Sequence, residues 1–201
     1  LLGKGQTSLA KYLFIINHYD NPEINADNIR DFFRHFLERI DLKRDLHFMT
    51  NTTIDTLDYS GSSWNAGSKL IAAAVGEKRR NLGTEVPNSL SLPSAVNKIQ
   101  VALPGILAIS GDKYVDKLST GQTISSVTQN IPTELEKSFP LIVFTDDADF
   151  TSANLNNFLW EVFTRSNPAE DIYAVEESIV NKHWVCGGSL IIDARTKTHH
   201  A

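Results

Sequence analysis

Apolar positions along this chain follow two rhythms, and the same order of rhythms occurs twice. Tyr12-Leu13-Phe14-Ile15-Ile16 is a short continuous apolar run between polar residues, the pattern of a strand buried on both faces. Asn21-Pro22 breaks the run. Apolar residues then recur at 29, 32, 33, 36, 37 and 40, which places one apolar helix stripe against a sheet. Asn25 or Asp27 is positioned to cap that helix, and Arg39 sits in its last turn, where the helix dipole favours a cation. Leu46-His47-Phe48-Met49 returns as a strand. A second copy follows: a strand at about 140–145, a helix at about 152–165 capped by Thr151 or Ser152, and a stop at Asn167-Pro168.

The two copies align without a gap over 12–49 and 138–175. Arg39 falls on Arg165 and Asp45 on Asp171, both at a separation of 126 residues. At that separation Ile16 meets Ile142, Asp20 meets Asp146 and Asn28 meets Asn154. Ile29, Phe32, Phe33, Phe36 and Leu37 meet Leu155, Phe158, Leu159, Val162 and Phe163. A second anchor follows each unit at a separation of 120, Gly67-Ser68-Lys69-Leu70-Ile71 against Gly187-Gly188-Ser189-Leu190-Ile191. That spacing is too long for a solenoid and indicates duplication inside one domain, 1–201.

Strand, helix and strand with short connections predict βαβ units with parallel strands. The expected fold is a layered α/β/α domain with one mainly parallel central sheet, built from similar units at about 12–75 and 138–195. Phe32, Phe36, Phe158 and Val162 are expected to be buried against that sheet. The interval 76–130 is rich in Gly, Pro, Ser and Thr and reads as an irregular and β insertion covering one sheet edge. Its strands are 99–103 and 106–109, split by the turn pair Pro104-Gly105, with exposed loops expected at 83–96 and 118–131.

Charge and composition narrow the classes. The net charge is −5 with both signs interspersed, which argues against a nucleic-acid or anionic-membrane footprint. No apolar run reaches the ~18–20 residues of a membrane span. The single cysteine, Cys186, excludes an internal disulfide framework and fits a cytoplasmic protein. The chain opens on Leu1-Leu2-Gly3 and reads as a piece of a longer protein.

Candidate chemistry is sparse. Asp147-Ala148-Asp149-Phe150-Thr151, directly after a strand, matches the DxDxT of magnesium phosphatases, where Asp147 would attack phosphate. The first copy has Asn21-Pro22-Glu23 at that place, so a solvated turn and helix cap is the leading reading. Gly3-Lys4-Gly5-Gln6-Thr7-Ser8 lacks phosphate-loop spacing and reads as a tight turn. The six histidines show no metal-ligand spacing, and His199-His200 is expected to be disordered. Cys186 reads as a small buried residue. Arg39/Asp45 and Arg165/Asp171 read as a helix-end ion pair in each copy. No residue is assigned a catalytic, cofactor-binding or metal role.

The stretch from Leu141-Ile142-Val143-Phe144 through Asp146-Asp147, Phe158-Leu159-Trp160 and Thr164-Arg165-Ser166-Asn167-Pro168-Ala169-Glu170-Asp171 resembles the carboxyl-terminal domain of the UbiD family of decarboxylases. Leu2-Gly3-Lys4-Gly5-Gln6 with Lys11-Tyr12-Leu13 is similar to that family's LGxGQ and TKY entry, with Ala10 in place of Thr. Gly67-Ser68-Lys69 resembles its GSK turn, and Leu190-Ile191-Ile192-Asp193-Ala194 its LIIDA strand. The resemblance spans most of the chain outside about 80–130, and its spread over both copies implies a long-form member. It implies a prenylated-FMN-dependent decarboxylase of an aromatic or unsaturated acid, in ubiquinone or menaquinone synthesis. It also implies a divalent metal (manganese) and potassium, with the reacting residues upstream of this segment. This chain would then shape the pocket and join the protomers of a homo-oligomer, with the remainder of its own protein as partner. Two alternatives are a non-catalytic interaction or assembly module and, more weakly, a magnesium phosphatase using Asp147.

Overall fold

A computed structural model describes residues 5–87, 90 and 93–200. In chain order the strands are β1 (Tyr12–Ile16), β2 (Leu46–Thr52), β3 (Gly67–Ala74), β4 (Val96–Leu103), β5 (Ile106–Gly111), β6 (Leu141–Thr145), β7 (Ile172–Ala174), β8 (Glu177–Val180), β9 (His183–Cys186) and β10 (Leu190–Asp193). The helices are α1 (Ile29–Arg39), α2 (Lys117–Asn130), α3 (Thr133–Ser138), α4 (Ala148–Ala153), α5 (Leu155–Thr164) and α6 (Pro168–Asp171).

The strands do not form one sheet. β1, β3 and β2 make a three-stranded sheet in that order, and β4-β5-β6-β10-β7 make a second, while β8 and β9 form a hairpin. The first strands of the two copies, β1 and β6, therefore lie in different sheets, which corrects the expectation of a shared central sheet. Both sheets are mixed rather than mainly parallel. β1 runs parallel to β3, but β2 runs antiparallel to it; β6 runs parallel to β10, and β7 antiparallel. The strand after each helix thus goes to the edge, and a later strand inserts between it and the first strand of the unit. The reason lies in burial. β3 is buried at six of its eight positions, whereas Met49, Thr50 and Asn51 leave β2 suited to an edge.

Individual pairs in the two units nonetheless correspond. Leu46 pairs with Ala72 and His47 with Ile71; in the second unit Ile172 pairs with Ile192 and Tyr173 with Ile191. Those equivalences follow the separations of 126 and 120. Asn28 caps α1 by accepting the Asp31 amide, and its counterpart Asn154 caps α5 by accepting the Asn157 amide, so the caps are these asparagines and not the neighbours expected. After each helix the chain makes the same turn. The Asp41 amide donates to the Asp45 carboxylate at 2.9 Å, and the Asn167 amide to that of Asp171 at 2.7 Å.

The alignment does carry a gap in the first strands. Tyr12 pairs with Leu70 while Leu141 pairs with Leu190, which sets β1 against β6 three residues off the separation found in the helices. The first copy absorbs the difference as three extra residues in a short 3₁₀ turn, His18–Asp20, where the second passes from Thr145 of β6 directly to Asp146. Register is restored immediately afterwards. Asp20 accepts the Gly76 amide at 2.7 Å, and Asp146 accepts the equivalent Thr196 amide at 3.0 Å.

One core joins the units. Phe33, Phe36 and Leu37 of α1, Leu70 and Ala72 of β3, Phe158 and Val162 of α5, and alternate residues of β6 and β10 pack together. Phe14 touches Phe33, Phe36 and Phe163 with ring centroids 5.2–5.7 Å apart, within the usual range for edge-to-face pairs. Phe36, Phe158 and Val162 are buried as expected, but Phe32 is only partly so. The remaining residues of β6 and β10, Ile142, Phe144 and Ile191, turn outward onto a second core formed with α2 and α3.

The insertion is more regular than its composition implies. Residues 118–131 are almost entirely helix α2, not an exposed loop. Asp116 and Ser119 form a capping box, and Thr120, Ile124 and Val127 seat one face on the sheet. β4 and β5 do extend one sheet edge, turning at Pro104-Gly105 with Gly105 at φ 80°, the left-handed position a type II turn requires.

Candidate functional site

The carboxylates singled out after β6 are engaged in local structure. Asp147 is the cap of α4 and accepts the Asp149 and Phe150 amides at 2.9 and 3.1 Å. Asp149 pairs with Lys98 and accepts Gln100 at 2.7 Å; the lysine contact holds its carboxyl below the usual range. Position 147 is a turn and cap. The leading part of Gly3-Lys4-Gly5 lies outside the described residues; Gly5–Leu9 form a 3₁₀ turn. Cys186 is buried, and desolvation pushes its thiol up to about 12. Among the described residues no three His, Cys, Asp or Glu side chains converge as a metal site.

Two further expectations need correction. Arg39 pairs with Glu38 and Asp45 with Arg44, while Arg165 pairs with Glu161 and Asp146, and Asp171 faces Lys197. The proposed Arg39/Asp45 and Arg165/Asp171 ion pairs do not form, because each arginine lies over its own helix. His199 and His200 are ordered in a 3₁₀ turn, with the Lys197 amide donating to Nδ1 of His200 at 3.3 Å. Burial lowers the His200 pKa to about 4.

What the structure does assemble is a buried polar clasp between the two units. It is built from the motif residues that resemble the family's. Gly67 opens β3 where a Cβ would meet the Cδ1 methyl of buried Ile54 at 2.8 Å, so a larger residue would require that side chain to shift. Ser68 then donates its amide to Oδ1 of Asn167 at 3.0 Å and also pairs with it through Oγ, which accepts the Ala169 amide at 2.7 Å. Tyr12 Oη lies 2.6 Å from Ser166 Oγ. Lys11 reaches Ser60 at 2.6 Å and Asp58 at 2.8 Å, and Ser60 Oγ donates onward to the Ser166 carbonyl at 3.3 Å. Burial is the main influence on Lys11 and lowers its pKa despite Asp58.

Below this lies Lys197, 3% exposed, donating to the carbonyls of Asp193 at 2.8 Å, Arg165 at 3.1 Å and Arg195 at 3.2 Å, with Asp171 at 3.5 Å. Burial raises the Asp171 carboxyl to about 6 against the pull of Lys197. Arg195 is equally buried, bidentate to Asp193 at 2.9 Å and bonded to Thr120 at 2.9 Å. Every charge in the clasp is paired or hydrogen-bonded, as a buried charge must be to be tolerated. No nucleophile in it stands beside a free base, so the arrangement holds and orients rather than reacts. Beside it opens a 630 Å³ pocket lined by Asp58, Tyr59, Trp64, Tyr114, Lys117 and Glu170, with Lys117 paired to Glu170 across it. Sequence reading missed Asp58, Ser60, Arg195 and Lys197. The available signal was the alternation Asp193-Ala194-Arg195 at a strand end.

Residues 1–74 match the family model described as the 3-octaprenyl-4-hydroxybenzoate carboxy-lyase C-terminal domain. The chain is thus similar to the UbiD family, and the matched part is the first of its two units, although the segment 164–171 lies in the second. Among curated relatives, a Chlamydia pneumoniae protein named as one of the subunits of 4-hydroxybenzoate decarboxylase is 30% identical over 197 residues, 98% of this chain and 31% of that protein. A protein of Chlamydia caviae is 30% identical over 203 residues, covering 100% of this chain and 32% of its own length. The chain therefore spans about a third of the relatives it matches. Among solved structures, the vanillic acid decarboxylase of Sedimentibacter hydroxybenzoicus aligns at TM-score 0.36 and 15% identity, over 76% of this chain and 39% of that one. The UbiD-class enzyme HmfF from Pelotomaculum thermopropionicum, solved with FMN, aligns at TM-score 0.36 and 11% identity, over 74% and 39%. No helix among the described residues is long and apolar enough to cross a membrane.

Proposed function

We propose that residues 1–201 act as one carboxyl-terminal domain of a UbiD-type decarboxylase of an aromatic or unsaturated acid, working in the cytoplasm in quinone synthesis. The observation that carries this reading is the family match over the first unit, joined to nearly full coverage of this chain by a relative named for 4-hydroxybenzoate decarboxylase. The family's chemistry uses prenylated FMN with manganese and potassium. The charged groups buried here are already paired with one another, so this chain's residues do not fit those groups and no reaction step is assigned to them. Its contribution is architectural: the clasp fixes the two units, and the adjoining pocket gives the domain a polar wall to present to the rest of the enzyme.

The reading includes self-association. β4 is the edge of the five-stranded sheet, and open edges invite pairing. A two-fold contact burying more than about 1,000 Å² is expected for the whole protein. The full-length protein, loaded with prenylated FMN and supplied with 4-hydroxybenzoate and related acids, should release carbon dioxide. A folded, flavin-loaded protein inert on such a panel would refute the activity. A full-length protein that sediments as a monomer at tens of micromolar would refute the association alone.

A further inference from the structure

The two units differ in one respect that the repeat itself makes legible. In the second unit the Leu190 amide donates to the Pro140 carbonyl at 2.9 Å, and the next amide on β6, Leu141, donates to the Gly105 carbonyl beside β5 at 3.3 Å. β6 is thus paired on both sides. In the first unit the Leu70 amide donates to the Lys11 carbonyl at 3.0 Å, the same bond at the equivalent place. Residues of a parallel ladder bond alternately to either side, so Tyr12, Phe14 and Ile16 direct their backbone groups away from β3. Among the described residues no strand pairs with β1 on that side.

The faces differ in the same way. Ile142, Phe144 and Ile191 lie under α2 and α3. Their counterparts Leu13, Ile15 and Ile71 belong to neither core, and Ile15 is 40% exposed. An apolar groove of 540 Å³ runs along the β1 edge, lined by Tyr12, Phe14, Ile29, Phe32, Leu159 and Phe163. A bare edge, a bare face and an apolar groove coincide in the first unit, at the places where the second unit carries β5, α2 and α3.

We propose that β1 receives a parallel strand along its open edge, and the outer face of its sheet receives a helical segment. Both would come from the stretch of the full-length protein ahead of Leu1, about one β5–α2–α3 length before β1. The relatives supply the chain needed, since this one covers 31–32% of their length. The strand is parallel because β5 is parallel to β6 in the equivalent place. The helical segment is apolar on one face because it must cover aliphatic side chains. The inference rests on the internal repeat and not on the decarboxylase reading, so an inactive protein leaves it standing.

Two measurements on the full-length protein test it. Hydrogen exchange of the peptide spanning 12–16 should match that of 141–145. Exchange faster by about 100-fold or more would show an open edge and overturn the proposal. Photo-crosslinking from p-benzoylphenylalanine at position 15 should give an intramolecular product within the stretch ahead of Leu1. A product joining two copies, one to another protein, one to residues beyond Ala201, or no product would each overturn it. The exchange measurement uses the unaltered chain and decides the matter if the substituted protein fails to fold.

Discussion

The unit around β1 and the unit around β6 share caps, turns and strand register, yet one is wrapped on both faces and the other on one. Equivalent residues therefore do unequal work. Phe158 is fully buried while Phe32, its counterpart at the same helix position, is only partly covered. Ser68 crosses to the other unit and binds Asn167; Gly188, at the equivalent place, has no side chain to return the contact. Local hydrogen bonds correspond between the two units, and long-range burial does not. Local bonds depend on a few residues in sequence, whereas burial depends on what the rest of the chain brings.

Substitutions at paired positions sharpen this contrast. The largest effect is expected in the shared core: Phe158→Ala should cost about 3–5 kcal/mol as a cavity mutation. Phe36→Ala belongs in the same range, and Phe32→Ala should cost clearly less. Equal losses at 32 and 158 in denaturant titrations would mean that the first unit is as enclosed as the second.

Next comes the pH dependence of the second post-helix turn. Below about pH 3.8, the reference for a free aspartate, Asp171 is protonated in folded and unfolded chains alike. Between there and about 6 the unfolded chain releases the proton and the folded chain keeps it, so stability falls as pH rises through that window and stays lower above it. The contribution is on the order of 2–3 kcal/mol. Asp171→Asn should flatten that slope in thermal melts from pH 4 to 7. An Asp171 carboxyl titrating near 4 by NMR would show the burial penalty to be absent.

The clasp should respond more modestly. Ser68→Ala removes one of the two donors to the buried Asn167 oxygen, which keeps the Ser68 amide, and leaves the Ala169 amide without its partner, a loss of about 1–3 kcal/mol. Ser189→Ala, one position past the counterpart Gly188, breaks only the bond to the Phe139 carbonyl at 2.8 Å and should cost less. The smallest effects belong to the caps. Asn28→Ala and Asn154→Ala should each cost about 1 kcal/mol, and similar values at both sites would confirm that the caps are equivalent.

Periodicity alone located β1, β6, α1 and α5, because buried stripes leave a local signature. Residue types also located the Pro104-Gly105 turn and the cap role of Asp147, both decided within a few residues. The helix α2 escaped because its Ser and Thr residues have weak helix preference, and its amphipathic signal reduces to Ile124, Val127 and Ile131. The clasp was half legible. Ser68, Asn167 and Asp171 stood in recognisable motifs, but nothing in the sequence says that residues about a hundred positions apart would share a hydrogen bond. Sequence determined which segments form and how each begins and ends. Tertiary structure decided that the strands divide between two sheets, that β3 and β10 insert between the first and second strands of their units, and that Arg39 and Arg165 turn away from Asp45 and Asp171. Those outcomes depend on which surfaces meet, and the free energy of burying a strand face is set by its neighbours in space rather than by its own residues.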